Sequence, residues 1–400
     1  MKKTKLAIIG SVGIPANYGG FETLTEHIVS ELSKTYDIEV YCSGKKWAKE
    51  ERKDFYKGAK LTYIPLDANG IQSIPYDSLS ILRAVFKSDV LLILGVAGAW
   101  LLPFVRLFTK KKIVISIDGI EWKRNKWNWL AKKYLYWAEY LAVKFSHIDI
   151  SDNEAIQDYT AKRYGSLSRI VEYGGDHTIK LDKREEDIQK YPFLKGDYAF
   201  KVCRIEPENN VHMILEAFHR NINYPLVIVG NWNNSNYGKS LKEKYSSCLN
   251  LHLLDPIYDQ EKLDVLRGNA SLYVHGHTAG GTNPSLVEAM YLGLPILSCD
   301  VSYNRVTTEN KAYYFKDQEG IMDFLRKVNP RELIKTGEVL GAIAKKRYTW
   351  SGIARKYQLL IEESLSVNKK QEIKPELSKL NYKHLLNEGE AHLQNQLFDF

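Results

Sequence analysis

Two successive sets of short, nearly continuous apolar runs, each run separated from the next by a helical pattern, constrain the fold of this chain more than any other feature. The first set occupies 6–9, 38–43, 61–66, 90–94, 113–117, 148–150 and 170–173; the second occupies 198–202, 226–229, 251–254, 271–274 and 296–298. Strands that are apolar along their whole length are buried on both faces, and helices crossing between parallel strands supply that cover. The expectation is an α/β fold with two parallel sheets. Each should have its own domain, because 400 residues exceed what one core usually supports. The charged, poorly periodic stretch 176–195 between the sets is expected to be the linker, which gives an N-terminal domain over 1–180 and a second over 190–348. In such sheets, ligands bind beyond the C-terminal ends of the strands.

Two of those strand ends carry glycine-rich turns. After the strand 271–275 come Gly280 and Gly281, then Asn283, which can cap a helix, and Pro284, which can start one. The glycines let a ligand approach the backbone, and the N–H groups at a helix start attract an anion such as phosphate. Glu288, further into that helix, would repel a phosphate. It is better suited to accepting hydrogen bonds from sugar hydroxyls beside one, and the combination points to a nucleotide sugar. The loop after strand 6–9 contains Gly10, Gly13, Gly19 and Gly20 but no G-x-G-x-x-G, and the next strand has no acidic residue at its end for a ribose. Both absences disfavour a nicotinamide enzyme.

The stretch from Gly280 to Met290 resembles the signature of family-four retaining glycosyltransferases of the GT-B fold, in which a Glu, seven residues and a second Glu span a strand-to-helix turn. Here Gly280 stands at the first Glu and Glu288 at the second. Together with Gly19, Gly20, Phe21 and Glu22, and with Asp118, Gly119, Glu121 and Trp122, the stretch is similar to the bacterial rhamnosyltransferase branch that builds cell-wall and capsular polysaccharides. The resemblance covers roughly residues 1–365. It implies two Rossmann-like domains facing a central cleft, with a helix over 349–366 crossing back onto the first domain.

For the site, the resemblance implies that the amides of Gly19 and Gly20 face the donor diphosphate and acceptor. It also implies that main-chain groups near Ile257 and Tyr258 hold the base, and that Gly280, Gly281, Thr282, Asn283 and Glu288 hold phosphate and sugar. Arg204, at a strand end, can fork two N–H groups onto diphosphate oxygens. The family's partner lysine is replaced here by Asn209. Asp118 and Glu121 would orient the acceptor or cap a turn. The expected reaction transfers rhamnose from dTDP-rhamnose to a polyprenyl-diphosphate-linked sugar by front-face attack, with no protein nucleophile. A deoxysugar bearing a C6 methyl needs fewer polar partners, which suits Gly280 in place of a carboxylate. No D-x-D occurs, so neither metal nor cofactor is expected; Arg204 and the helix at Asn283 would stabilise the leaving diphosphate. Competing readings are a transferase for another donor such as UDP-glucose or UDP-GlcNAc, a GT-B sugar-nucleotide epimerase, and a nucleotide-sugar sensor without turnover.

A formal charge of +8 calls for an anionic partner, which charge alone leaves open among nucleic acid, acidic membrane and phosphorylated substrate. The nucleotide-sugar motifs favour the last, and no nucleic acid is expected. Trp122, Trp127, Trp129 and Trp137 lie beside Lys123, Arg124, Lys126, Lys132 and Lys133, which suits a membrane interface over 122–145. The competing reading is a helix whose rings enter the core. The apolar run 90–105 is shorter than the roughly 20 residues a spanning helix needs, and the N-terminal apolar run is too short for a signal peptide. The expected location is therefore the cytoplasm, peripheral on the inner face of the cell membrane. Cys42, Cys203, Cys248 and Cys299 are widely spaced and read as free thiols of a reducing compartment. The Lys-, Glu- and Asn-rich tail 367–400 suggests no role.

Overall fold

The computed structural model describes residues 3–16, 19–117, 119–123, 127–222, 224–368 and 370. Asp118, Arg124, Lys126 and nearly all of the 367–400 tail lie outside the described residues. The chain forms two compact units: Met1–Tyr173 together with Trp350–Phe400, and Gly174–Thr349.

In the first unit the elements follow as β1 (Lys5–Ile9), α1 (Gly20–Leu32), β2 (Asp37–Ser43), β3 (Phe55–Tyr56), β4 (Ala59–Ile64), α2 (Ser73–Lys87), β5 (Val90–Leu94), α3 (Leu102–Phe108), β6 (Lys112–Ile117), α4 (Trp129–Phe145), β7 (Ile148–Ser151), α5 (Glu154–Tyr164) and β8 (Arg169–Ile170). The described strands form one sheet in the order β3-β4-β2-β1-β5-β6-β7-β8, parallel except for the β3–β4 pair. Period-two alternation splits each central strand between two apolar layers. Leu6 and Ile8 join one layer with Leu92, while Ala7 and Ile9 join the other with Leu91 and Ile93. Chain order reverses between β1 and β5, so the loops after these two strands mark the switch point at which such sheets bind ligands.

The second unit contains α6 (Glu185–Lys190), β9 (Ala199–Val202), α7 (Val211–Arg220), β10 (Leu226–Val229), α8 (Asn236–Tyr245), β11 (Leu251–Leu254), α9 (Gln260–Gly268), β12 (Leu272–His275), α10 (Pro284–Tyr291), β13 (Ile296–Cys299), α11 (Ser302–Thr307), β14 (Tyr313–Phe315), α12 (Gln318–Lys327) and α13 (Pro330–Arg347). Its described strands run parallel in the order β11-β10-β9-β12-β13-β14, with the switch point between β9 and β12. The stretch 176–195, expected as a linker, is instead part of this unit. Gly175 N–H donates to Tyr348 O at 2.8 Å, Ile179 N–H donates to the Asp264 carboxylate at 3.1 Å, and Leu194 is fully buried. Charge at exposed positions hid these contacts, and the change of unit falls at Tyr173/Gly174.

The last described helix, α14 (Trp350–Ser366), belongs to the first unit. Trp350, Ile353, Ala354, Tyr357 and Ile361 fall on one helical face and complete the apolar layer that α1 also covers. Trp350 stacks on His27 with ring centroids 4.4 Å apart.

Candidate functional site

In the second unit the loops after β9 and β12 are stitched together before any ligand is considered. A Cβ at Gly276 would lie 2.3 Å from Asn209 O, so only glycine lets the two loops approach this closely. Asn210 Nδ2 then donates to Gly276 O at 2.9 Å, and Thr278 donates to Glu208 O through both its N–H and its hydroxyl. Asn209 is buried: its Nδ2 donates to Arg204 O at 2.8 Å, and its Oδ1 lies 2.8 Å from His277 Nδ1. The side chain matched to the family's lysine is therefore a strut between the loops. Arg204 itself is 42% exposed, and its nearest carboxylate, Glu206, is 3.9 Å away, which makes the pair weak.

Beyond β12 the chain turns through Gly280, which takes φ +111°, a backbone conformation that a side chain strains. Asn283 caps α10, accepting from Ser285 N–H at 3.1 Å and from the Ser285 hydroxyl at 2.8 Å. Leu286 N–H donates to Asn283 O at 3.1 Å. The first helical amides are therefore satisfied internally, contrary to the expectation of an open anion site at the helix start. Within the turn Gly280 and Gly281 carry no Cβ to hold a ligand off the main chain.

Glu288, one turn into α10, does not stand alone before sugar hydroxyls. Its Oε2 is ion-paired with Nη1 of Arg267, a fully buried side chain of α9, and its Oε1 lies 3.3 Å from His177 Nε2. Arg267 Nη2 bonds Asp264 Oδ1 at 2.9 Å, and Gln260 holds the same oxygen at 3.0 Å. Burial acts to raise the Glu288 pKa, but Arg267 and then His177 outweigh it and hold the carboxylate down at about 2. Glu288 is thus a fixed anion with its edge 14% exposed, an acceptor and not an acid. At the end of β11, Ile257 packs against the apolar layer while Tyr258 is 67% exposed.

Gly19, Gly20 and Glu121 are in the first unit. Gly19 takes φ +132°, and a Cβ there would meet Glu22 Oε2 at 1.8 Å; Gly20 opens α1. Two carboxylates of α1 fold the loop back on the helix. Glu22 Oε1 accepts from Val12 N–H at 2.6 Å, and Glu26 Oε2 accepts from Ala16 N–H at 2.6 Å. Glu121 sits in a single helical turn after β6, where its Oε1 accepts from Trp127 Nε1 at 3.0 Å. The neighbouring Trp122 Nε1 donates to Tyr159 OH at 3.1 Å, and Tyr159 in turn donates to the buried Glu139, which also takes Tyr164 and Arg163. Asp118, the other expected acceptor-orienting residue, lies outside the described residues.

Sequence reasoning missed His177, Asp264, Arg267, Lys201 and both histidines of β12 and its loop. His275 and Lys201 are buried, and burial pulls both toward their neutral forms. His275 and His277 immediately precede the Gly280–Met290 stretch. Arg267 reaches Glu288 from 21 residues upstream, a pairing no local pattern announces. Among the described residues no group of three or more His, Cys, Asp or Glu side chains converges as a metal site.

Comparison with known proteins agrees with this architecture. Residues 3–176 match the model of a domain of unknown function (DUF1972), and residues 183–338 match that of glycosyl transferases group 1. No curated protein matches the chain in sequence. Among solved structures, sucrose-phosphate synthase from Thermosynechococcus elongatus superposes with a TM-score of 0.75 at 13% identity, covering 91% of this chain and 100% of that one. HepE from Anabaena in complex with UDP-glucose gives 0.68 at 13% identity over 90% and 99%. The α,α-trehalose 6-phosphate synthase from Burkholderia multivorans gives 0.69 at 10% identity over 92% and 98%. At these identities the structural likeness establishes the fold, two Rossmann-like domains of the GT-B type. The second unit therefore carries a domain that matches glycosyl transferases group 1, on a fold of the GT-B type, which supports sugar transfer from a nucleotide sugar.

Proposed function

We propose that this glycosyltransferase moves rhamnose from dTDP-rhamnose, with retention, to a polyprenyl-diphosphate-linked sugar during cell-wall or capsular polysaccharide synthesis. The observation that carries the reading is the single fixed carboxylate of the turn. Glu288 is locked as an anion by Arg267 and His177, while Gly280 supplies no second carboxylate at the turn. One acceptor suits a sugar with one hydroxyl fewer than a hexose. Arg204 and the main chain from Gly280 to Asn283 would meet the leaving diphosphate, so that no metal is called for. Glu121, with Asp118, would orient the acceptor. The lipid of that acceptor puts the protein on the inner face of the cytoplasmic membrane, in peripheral contact through 122–145.

A second reading, transfer from UDP-glucose, draws support from HepE, a structural neighbour whose complex holds that nucleotide sugar. The test is a panel of dTDP-rhamnose, UDP-glucose, UDP-GlcNAc and GDP-sugars assayed for protection against thermal unfolding, followed by transfer to a lipid-linked acceptor. A ligand at 100 times its Kd adds about 2.7 kcal/mol. Greater protection and faster transfer with UDP-glucose than with dTDP-rhamnose would overturn the rhamnosyl reading. Release of free nucleotide without any acceptor would instead point to an epimerase.

A further inference from the structure

Three helices of the first unit are apolar on the side that faces water. On α3, Leu102 and Val105 are buried, yet Phe104, Leu107 and Phe108 on the opposite stripe are 53%, 75% and 75% exposed. On α2 the buried face is mixed, with Asp77 and Ser80 beside Tyr76, Ile81 and Ala84, while Leu79, Leu82 and Phe86 point outward. On α4, Trp129, Leu130 and Trp137 are half exposed or more.

These surfaces are neighbours. Trp100, just before α3, donates through Nε1 to Ser78 of α2 at 2.8 Å and meets the Phe104 ring edge-on at 6.5 Å. Tyr134 of α4 donates its hydroxyl to Ala97 O in the same segment, and α3 packs directly on α4.

Charge identifies what covers this face. The only acids within the three helices, Asp77 and Glu139, are both buried, whereas Arg83, Lys87, Lys133 and Lys144 are exposed. A second copy of the chain would set like charges against one another, and a nucleic acid would leave the phenyl and leucyl side chains in water. No described helix is long and apolar enough to cross a membrane.

We propose that the outward faces of α2, α3 and α4 form one docking surface for an anionic lipid bilayer, with Phe104, Leu107 and Phe108 inserted among the acyl chains. The aromatic rings of α4 lie at headgroup level and the cations form the rim. This extends the peripheral contact proposed above from one helix to a three-helix face. It rests on that reading for the location of the acceptor alone.

The experiment uses the full chain with phosphatidylcholine vesicles, with and without phosphatidylglycerol. Parent protein is compared with the apolar variant F104S/L107S/F108S and the rim variant K133Q/K144Q/R83Q. The parent should sediment with phosphatidylglycerol-containing vesicles and be partly released by high salt. The apolar variant should partition about tenfold less or worse even at low salt, because three exposed apolar side chains lose their burial. The rim variant should lose the preference for anionic lipid. Melting temperature and nucleotide-sugar protection, both read in the absence of vesicles, should be unchanged in either variant. This separates failure of the docking face from failure of the donor assignment. Equal partitioning of parent and apolar variant overturns the proposal, as does a parent that ignores phosphatidylglycerol. A concentration-dependent dimer in light scattering that the apolar variant abolishes would assign the face to a second copy instead.

Discussion

Glu288 and Arg267 hold each other in surroundings where neither charge is well placed alone. Removing one partner of a buried pair leaves an uncompensated charge, which costs about 3–5 kcal/mol. Because Glu288 keeps an exposed edge, Glu288→Ala is expected near the lower end of that range, measured as a drop in urea-unfolding free energy. A carboxylate serving donor hydroxyls alone would leave stability unchanged. The double variant with Arg267→Met should recover part of the loss, and a strictly additive pair would refute the coupling. The pH dependence follows from the same geometry. The folded pKa of about 2 lies below the ordinary 4.5, so the contribution is complete above that value and disappears as pH falls toward 2. The stability gap between parent and Glu288→Gln should close over that window. Arg204 makes the opposite case. It is exposed and weakly paired, so Arg204→Ala should leave the unfolding midpoint in place while weakening nucleoside diphosphate binding by about tenfold or more, as expected for charge-assisted bonds of roughly 1.5–3 kcal/mol. Tight diphosphate binding by the mutant would remove Arg204 from the site.

Glycine and buried acid decide more at the level of the element than residue propensity does. The loops after β9 and β12 meet only because Gly276 has no side chain. Gly276→Ala drives a methyl group into Asn209 O and should cost about 1–3 kcal/mol while dislodging the Asn209–His277 strut. The check is a joint fall in unfolding midpoint and nucleotide binding; loss of neither would show that the loops can part freely. On α2, burial pushes the Asp77 carboxyl up to about 8, against a Gly98 amide that holds it down. A raised folded pKa means the contribution is full below the ordinary 3.8 and is lost as pH rises through about 8. Asp77→Asn should therefore gain on the parent as pH rises, and a pH-independent difference in denaturant midpoint would contradict the assignment. Helix α4 shows how an element can be readable while its edge is not. The aromatic and basic stretch begins at Trp122, but Asn128 accepts from Ala131 N–H and starts the helix at Trp129.

At the scale of the whole molecule, the first unit is closed by a helix that follows the second unit in sequence. Without α14, the apolar layer of α1, β1 and β2 would lose Trp350, Ile353, Tyr357 and Ile361. Each such burial stabilises by roughly 1.5–3 kcal/mol, a sum comparable with the total stability of a domain. A chain ending at Thr349 should therefore unfold its first unit while the second keeps a cooperative transition, and calorimetry showing two intact transitions would contradict this. Period-two and period-3.6 patterns, with two switches from strand to helix at glycine-rich turns, were enough to determine two parallel α/β sheets, the cap at Asn283 and the carboxylate at Glu288, because each depends on neighbours within one or two turns of chain. Strand order, the inclusion of 176–195 in the second unit, the Arg267–Glu288–His177 arrangement, the conversion of Asn209 into a strut and the outward apolar faces of α2 and α3 were decided only by the tertiary structure. Which charge a buried guanidinium meets, and whether a phenylalanine faces core or water, depend on residues brought together from distant parts of the chain, and no local pattern carries that information.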